Sequence, residues 1–217
     1  MSTFGFSAFL KLLSLNAKPQ RWQVNSRLSG GSGGGYDFHR SLRLRIHRYL
    51  VDGESIEDLV ASAGEITREA EQRSVKAGLK RLEEWRGEHP GEVLHFAPAL
   101  YSAPGGFFKV SFVPDFGVEI DGRPTAIHVW NTAAPDLVDR MVYAALSLLP
   151  IAYAADQNAP EDYGVLSLQT GRLYRLSDVG DFSLTGERVV AALEEVFRDV
   201  LDKLKLPHPE EGDRPAG

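Results

Sequence analysis

The sequence predicts a mixed fold of α-helices and β-strands, an α/β chain with α+β character, in 217 residues. Three observations predict it. Before residue 87, apolar residues recur every three or four positions in several segments, as in amphipathic helices. Between residues 107 and 131 apolar and polar residues alternate, as in half-buried strands. Between residues 136 and 149 apolar residues surround nearly the whole helix, which indicates burial on most sides.

The N-terminal part is predicted to be helical. The expected helices occupy residues 4–15, 37–51, 55–63 and about 65–86, and the third and fourth end at glycines. Asp37 is the expected N-cap of the second helix. Residues 16–36 form a polar connector between the first two helices, and its glycine run at Ser29–Gly35 predicts a flexible hinge.

The middle of the chain predicts strands, followed by a buried helix. The expected strands are 107–112, 115–122 and 125–131, and Asp121-Gly122 is a hairpin turn signal. The buried helix is expected to close at Pro150. Two further strands, at 163–169 and 172–176, precede a last amphipathic helix at 185–206. We therefore expect three regions: 1–36 as an N-terminal apolar helix with a glycine-rich basic connector, 37–206 as the main domain, and 207–217 as a disordered tail.

Composition excludes several classes of protein. The chain has no cysteine, which excludes disulfide scaffolds, cysteine-ligated metal sites and thiol catalysis. No apolar run approaches the ~18 residues that a membrane span needs. The apolar N-terminal stretch lacks the basic region of a signal peptide. We expect a soluble, cytoplasmic protein with no membrane partner.

Charge is unevenly distributed along the chain. The first 50 residues hold eight Lys and Arg but one acidic residue, a formal charge of +7, which leaves −13 for the rest. This asymmetry predicts that the front of the molecule faces an anionic partner, either nucleic acid or protein. The alternative is a basic arm folded onto the chain's own acidic body. The candidate phosphate contacts are the arginines of the second helix: Arg40, Arg43, Arg45 and Arg48.

One carboxylate points towards the expected core. Glu71 lies on the same helical stripe as Val75, Gly78, Leu82 and Trp85. A lone buried carboxylate costs several kcal/mol, so Glu71 either lies near an exposed helix end or has a partner.

The motif and the element order together resemble the PD-(D/E)XK nuclease superfamily over residues 65–180. That family carries Pro-Asp, then (Asp/Glu)-x-Lys on the next strand, within a helix, three strands, a helix and a strand. Here Pro114-Asp115 matches the first half, and the expected elements follow the same order. The resemblance implies an αβββαβ restriction-endonuclease-like core, with extra N-terminal and C-terminal helices.

The resemblance also implies metal-assisted phosphodiester hydrolysis. Two carboxylates would hold Mg²⁺ or Mn²⁺, and a lysine would help to activate water. Asp115 and Glu71 match the carboxylates of the family. The second half of the motif departs from it, because its positions read His128-Val129-Trp130 and residues 110–202 contain no lysine. Lys109 on the preceding strand could stand in for the lysine, or Arg140 at the start of the buried helix could act as a charge clamp.

The hairpin brings the remaining candidates together. His128 is expected to lie across it from Asp115 and Glu119, which makes these three side chains the candidate metal ligands. The alternatives are a solvated acidic hairpin face and a core histidine bonded to a neighbour. Trp130 is either a core residue or a platform for stacking a nucleic-acid base.

The leading hypothesis is a catalytically degenerate PD-(D/E)XK-like protein, a pseudo-nuclease that binds nucleic acid, DNA or RNA, or a protein partner and requires no cofactor. The first alternative is a divergent metal-dependent nuclease. The second is an interaction module, forming a homo-oligomer or joining a larger complex, that docks through apolar side chains of its N-terminal segment: Phe4, Phe6, Phe9, Leu12 and Leu13.

Overall fold

The computed structural model describes residues 2–30 and 38–209 and confirms the mixed α/β class. The strands form two sheets, one of three strands and one of five. The expected hinge at 31–35, the Asp37 cap and most of the tail lie outside the described residues, and the tail is described only as far as 209.

The three-stranded sheet joins the N-terminus to the middle of the chain. Its strands are β1 (Ser2–Gly5), β3 (Ala99–Ser102) and β4 (Phe108–Phe112), in the order β1-β4-β3. β1 runs parallel to β4, with Phe4 opposite Val110, and β3 runs antiparallel to β4.

The five-stranded sheet is mixed. Its order is β2-β5-β6-β7-β8, and the pair β6 and β7 is parallel whereas the other pairs are antiparallel. The strands are β2 (Val93–Leu94), β5 (Phe116–Ile120), β6 (Arg123–Trp130), β7 (Asp162–Ser167) and β8 (Leu173–Arg175). Asp121 and Gly122 join β5 to β6 with φ of 53° and 75°, as a two-residue type I′ turn requires. The predicted hairpin is confirmed.

The helices cover the two sheets. They are α1 (Phe6–Leu13), α2 (Ala17–Leu28), α3 (Arg40–Leu50), α4 (Ile56–Ser62), α5 (Glu69–Glu88), α6 (Asp139–Leu146), α7 (Leu149–Ala152) and α8 (Ser183–Leu204). Pro150 was expected to close the buried helix. It lies instead in the first turn of α7, where the missing proline N–H costs no helical hydrogen bond.

Strand β6 separates two hydrophobic clusters. Ala126 and Trp130 belong to a cluster with buried residues of α1, β4, α6 and α8, whereas Ile127 and Val129 belong to a second one with α3, α4 and α5. Alternate residues of a strand point to opposite faces, so both faces of β6 are covered.

Besides α7, four elements of the structure have no counterpart among the expected helices and strands. Strands β1, β2 and β3 have four residues or fewer, which is too short for a clear alternation. Helix α2 occupies the expected connector, and Val24 is its one buried side chain, so its sequence shows no apolar stripe.

The expected strand 107–112 also has different neighbours from those expected. It is β4, which pairs with β1 and β3 and not with β5, so the three predicted consecutive strands do not lie in one sheet. Alternation identifies a strand but not its partners. The five-stranded sheet instead receives β2, β5 and β6 between α5 and the α6–α7 segment.

The N-terminal segment is part of the main core. Phe4, Phe6, Phe9, Leu12 and Leu13 are all at most 6% exposed. The Phe4 ring meets Phe108 and Phe197 edge-on, which ties β1 to β4 and α8. These side chains therefore cannot dock on a second subunit while the chain keeps this fold, and the expectation that they form a docking surface is wrong. Within the described ranges, no helix combines the length and the apolar character that crossing a membrane requires.

Candidate functional site

Asp115 lies just before β5 and bonds to β6 at two points. Its backbone N–H donates to the Ile127 carbonyl over 2.9 Å, and its Oδ2 accepts the Val129 N–H over 2.7 Å. The Asp115 side chain is 3% exposed. The carboxylate therefore extends the hydrogen-bonding of the β5–β6 hairpin to the residue before the start of β5.

His128 projects from β6 towards the same carboxylate. Its Nδ1 lies 3.1 Å from Asp115 Oδ2, although the direction between them is poor for an Nδ1–H hydrogen bond. Its Nε2 lies 2.7 Å from the Ser7 hydroxyl oxygen. The rings of Phe6 and Phe112 pack against the imidazole at centroid distances of 5.3 and 6.5 Å. The predicted proximity of Asp115 and His128 across the hairpin is confirmed.

Ser7 is the third member of this array, and sequence analysis missed it. It is the second residue of α1 and is half-buried. It is separated from His128 by 121 positions in the sequence. No motif surrounds Ser7, so no local signal could have indicated this contact.

Glu71 is fully buried, so of the two possibilities left open by its helical stripe, the exposed helix end is excluded. Helix α5 packs Val75 and Leu79 into the second hydrophobic cluster, on the Ile127 and Val129 side of β6. His128 alternates with those two residues and faces the opposite side of the sheet. The expectation that Glu71 joins Asp115 in one catalytic site is therefore wrong.

Lys109 does not replace the missing lysine. It lies on β4, in the other sheet, aligned with Thr3 and Ser102. Phe112, three positions later on β4, packs against His128, so Lys109 points to the opposite face of its strand. The sheet places its ammonium away from the Asp115 carboxylate.

Glu119 also lies apart from the other candidate ligands. It is exposed near the hairpin turn, opposite Pro124. Four residues of extended chain separate it from Asp115, roughly 13 Å. Glu119 thus fits the alternative of a solvated acidic hairpin face, whereas the buried Asp115 side chain does not.

The residues present do not fit the divalent cation that the nuclease resemblance implies. The Asp115 carboxylate already accepts the Val129 N–H and contacts His128. In residues 2–30 and 38–209, no three His, Asp or Glu side chains lie close enough together to share a metal ion.

The arginines of α3 differ in their surroundings. Arg45 donates to the Ser62 hydroxyl, the Ser62 carbonyl and the Ser41 carbonyl over 3.0 to 3.1 Å, so it connects α3 to the end of α4. Burial lowers the pKa of its guanidinium, and the charge of Glu71 opposes that shift. Arg48 forms a bidentate pair with Glu54, both contacts at 2.6 Å.

Arg40 and Arg43 lie on the exposed side of α3. At least two of the four arginines predicted as phosphate contacts, Arg45 and Arg48, are thus engaged in intramolecular bonds. Trp130 is 2% exposed and belongs to the core, so the expectation that it stacks a base is wrong.

A cavity of about 310 Å³ opens where the parallel strands β6 and β7 end. It lies between those strand ends, the start of α3 and the first half of α5. Its lining combines hydrogen-bonding groups with small apolar ones: Phe38, His39, Ala70, Ser74, Asn131, Thr132, Ala133, Ala134 and Gln169.

Two sets of hydrogen bonds shape the cavity wall. Gln169 Nε2 donates to Asn131 Oδ1 over 3.0 Å, and Asn131 Nδ2 donates to the Ser74 hydroxyl over 3.0 Å. Arg81 donates to Gln169 Oε1 over 3.2 Å, while His39 Nε2 and the Thr132 hydroxyl lie 3.1 Å apart. The side-chain amides are therefore oriented before any ligand arrives.

Gly78 allows α5 to lie against this wall. A Cβ at Gly78 would be 3.1 Å from Asn131 Nδ2 and 3.2 Å from a methyl group of Leu42. The glycine on the predicted stripe of α5 is thus where the helix approaches β6 and α3 most closely.

Comparison with known proteins assigns no family. No family model matches the chain, and no curated protein matches it. Among solved structures, the chain is similar to one titled "Crystal structure of SSO0001", with 13% identity over 88% of this chain and 84% of that chain. The TM-score is 0.32, which does not establish a shared fold.

Proposed function

We propose that this protein is a nucleic-acid-binding module of degenerate PD-(D/E)XK type, which holds an unpaired base in the cavity at the ends of β6 and β7. One observation carries the proposal: a polar cavity opens directly beside the start of the arginine-bearing helix α3. Crevices at the carboxyl ends of parallel strands are the usual ligand sites of α/β sheets.

The cavity suits a small planar ligand. Its volume is at the lower end of the ~300 to 1,000 Å³ usual for ligand pockets, so one base fits better than a large cofactor. The amide oxygens of Asn131 and Gln169 each accept one hydrogen bond and keep a lone pair for a donor on a base edge, and the Phe38 ring provides an apolar face. Reading of this kind requires a base that is not paired in a duplex. A single strand is therefore the expected ligand.

Exposed arginines adjoin, in sequence, residues that line the cavity. Arg40 directly follows His39, and Arg43 lies about one turn further along α3, both exposed. Arg73 precedes Ser74 on α5 and is also exposed, at 3.9 Å from Glu69. These guanidinium groups are placed to contact phosphates that flank a base in the cavity.

The poor fit of a cation separates this proposal from the divergent nuclease alternative. The Asp115 carboxylate accepts a backbone N–H and contacts His128, while Glu71 and Lys109 lie elsewhere. A degenerate enzyme of this kind would still bind the nucleic-acid strand but would not cleave it with a metal ion.

Binding is tested by fluorescence anisotropy with labelled 12-nucleotide single-stranded DNA, single-stranded RNA and duplex DNA at several salt concentrations. We expect the single strands to bind more tightly than the duplex. The double variant Arg40→Glu, Arg43→Glu should weaken binding at least about tenfold. It should also reduce the slope of log affinity against log salt by about 0.7 for each phosphate that the variant no longer neutralises.

The matched control reverses two exposed arginines far from the cavity, Arg123 and Arg188. We expect this control to bind like the wild type. An equal reduction of affinity in both double variants would indicate a general charge effect and contradict the proposed site. Absence of binding to every oligonucleotide at low salt would contradict nucleic-acid binding altogether.

Cleavage is tested with the same oligonucleotides plus Mg²⁺ or Mn²⁺, comparing the wild type with Asp115→Asn. We expect no cleavage above background from either protein. Cleavage by the wild type that disappears in Asp115→Asn would overturn the degenerate interpretation in favour of the divergent nuclease.

A further inference from the structure

The side chains of Ser7, His128 and Asp115 form an array that points to a second activity besides nucleic-acid binding. The Ser7 oxygen lies 2.7 Å from His128 Nε2, and His128 Nδ1 lies 3.1 Å from Asp115 Oδ2. We propose that these residues form a nucleophile, general base and orienting carboxylate that transfer acyl groups from carboxylic esters to Ser7 and then to water. This order of groups is how a serine hydroxyl is activated on unrelated folds.

The proposal assigns one tautomer to His128. An ionised carboxylate cannot donate a hydrogen bond, so we place the imidazole proton on Nδ1, the nitrogen that faces Asp115. Nε2 then has a lone pair for the Ser7 hydroxyl, which donates its hydrogen to it. This is the tautomer in which histidine can remove the serine proton. The poor alignment at Nδ1 does not disqualify the pair, because catalytic hydrogen bonds often tighten only when substrate is bound.

The base and its carboxylate are held rigidly. Asp115 is fixed to β6 through the Ile127 carbonyl and the Val129 N–H. Phe6 and Phe112 pack against the imidazole. Ser7 itself is half-buried, so it is less enclosed than the side chains of His128 and Asp115. Rigid support of a partly accessible nucleophile is what this chemistry requires.

The start of α1 suits the charge that develops on the substrate oxygen. The first N–H groups of a helix have no acceptor within the helix. The N-cap of α1 is Gly5, which has no side chain to accept from them, and a Cβ built there would meet no atom within 4 Å. The first turn contains no acidic residue. We therefore place the oxyanion at this helix start, where backbone amide groups can donate to it.

The reaction balances without a cofactor. Ser7 Oγ forms a bond to the ester carbonyl carbon while its proton moves to His128 Nε2. The carbon–oxygen bond to the alcohol then breaks, and the alcohol leaves with the proton from Nε2, which gives acyl-Ser7. Water attacks the acyl group, its proton passes through Nε2 to the Ser7 oxygen, and the carboxylic acid leaves.

Labelling with a biotinylated fluorophosphonate tests the array. In this reaction the Ser7 oxygen bonds to phosphorus and fluoride leaves. We expect one adduct, on the peptide that contains Ser7, found by mass spectrometry. Ser7→Ala should abolish it, and His128→Gln should slow it by at least about 100-fold, the lower range for loss of a general base. The control Ser14→Ala changes the serine that directly follows α1, and it should label like the wild type.

Asp115→Asn gives a second comparison if His128→Gln does not fold, as judged by circular dichroism, and it should also slow labelling. Hydrolysis of p-nitrophenyl acetate should show a burst of one equivalent of nitrophenolate that Ser7→Ala lacks. The proposal is overturned if folded wild-type protein gives no Ser7 adduct while a known serine hydrolase labels in parallel. It is equally overturned if the folded Asp115 and His128 variants label at the wild-type rate.

Discussion

At the scale of the residue, three buried carboxylates in the described part of the chain accept backbone N–H groups from other segments. Asp115 accepts the N–H of Val129, Asp162 that of Ser177, and Glu194 that of Gly105. Removing a carboxylate from water is costly unless it is hydrogen-bonded. These contacts offset part of that cost and join segments that are distant in sequence. At Asp115 the hydrogen bond that offsets the cost of burial comes from a backbone N–H of β6.

The Glu194 carboxyl predicts how stability depends on pH. Burial on α8 raises the pKa of Glu194, although the Gly105 N–H and the Arg198 charge oppose the shift. A raised folded-state pKa means that the folded chain holds this proton more tightly than the unfolded chain. The contribution is complete below the unfolded pKa, near 4.5, and is lost as pH rises through the folded pKa.

The variant Glu194→Gln should therefore gain stability relative to the wild type as pH rises from about 4 to about 7, because glutamine cannot ionise. Urea denaturation at several pH values measures the difference in unfolding free energy. Glu187→Gln, on the exposed side of the same helix, should not reproduce this trend. A difference between Glu194→Gln and the wild type that is constant over the whole range would contradict the shift.

At the scale of the element, α1 and β1 are expected to stabilise the monomer. Phe9 is fully buried and packs against Phe108. Phe9→Ala should reduce the free energy of unfolding by about 3 to 5 kcal/mol, measured by urea denaturation. Trp22→Ala, at a site on α2 that is 67% exposed, should change it by less than about 0.5 kcal/mol. An unchanged free energy of unfolding in Phe9→Ala would contradict this role of α1 and β1.

The contact between α6 and α8 depends on a glycine. A Cβ at Gly186 would lie 2.4 Å from the Ser147 hydroxyl oxygen and 3.0 Å from the Ala144 carbonyl oxygen. Gly186→Ala should lower stability by about 1 to 3 kcal/mol, because a backbone carbonyl cannot move aside easily. This cost exceeds the gain in helix propensity, about 1 kcal/mol.

Gly87→Ala is the matched control for this contact. Gly87 lies in α5, and a Cβ there would meet no atom within 4 Å. The control should raise the melting temperature slightly, since alanine favours the helix. A higher melting temperature for Gly186→Ala as well would show that α6 and α8 can separate without cost.

At the scale of the whole molecule, part of the basic charge near the N-terminus lies on the chain's own acidic body. Arg21 of α2 pairs with Asp199 of α8 at 2.6 Å, and Arg27 reaches the Thr3 carbonyl and the face of the Phe4 ring. Helix α2 therefore fits the alternative of a basic arm that folds onto the chain's own acidic body. The arginines at the start of α3 are exposed and face solvent, where an anionic partner can approach them.

The two hydrophobic clusters share the strand β6, so they should unfold together. Trp130 reports on the first cluster and Trp85 on the second, while the third tryptophan, Trp22, is exposed. In Trp22→Phe, Trp85→Phe and in Trp22→Phe, Trp130→Phe, fluorescence and circular dichroism should give the same denaturation midpoint within each variant. Separate midpoints within either variant would show that the two sides of the sheet unfold independently.

One part of the candidate site, the proximity of Asp115 and His128, could be anticipated because its signals are local. The Asp-Gly turn sets the register of β5 and β6, and that register brings Asp115 and His128 together. The stripe on α5 predicted that Glu71 points towards the core but left open whether it lies near an exposed helix end. The roles of Lys109, Glu119 and Trp130 were wrong because they depend on which strand pairs with which and on which face of the sheet is covered.

The sequence by itself determined the mixed α/β class, the hairpin, the nearly all-apolar helix before β7 and the inward direction of Glu71. Each follows from a periodicity or a turn preference that extends over a few neighbouring residues. Only the tertiary structure decided that β4 joins β1, that Glu71 and His128 lie on opposite sides of β6, and that Ser7 meets His128. Such contacts arise when distant segments bury their apolar faces together, and the order of residues within one segment does not encode its partner.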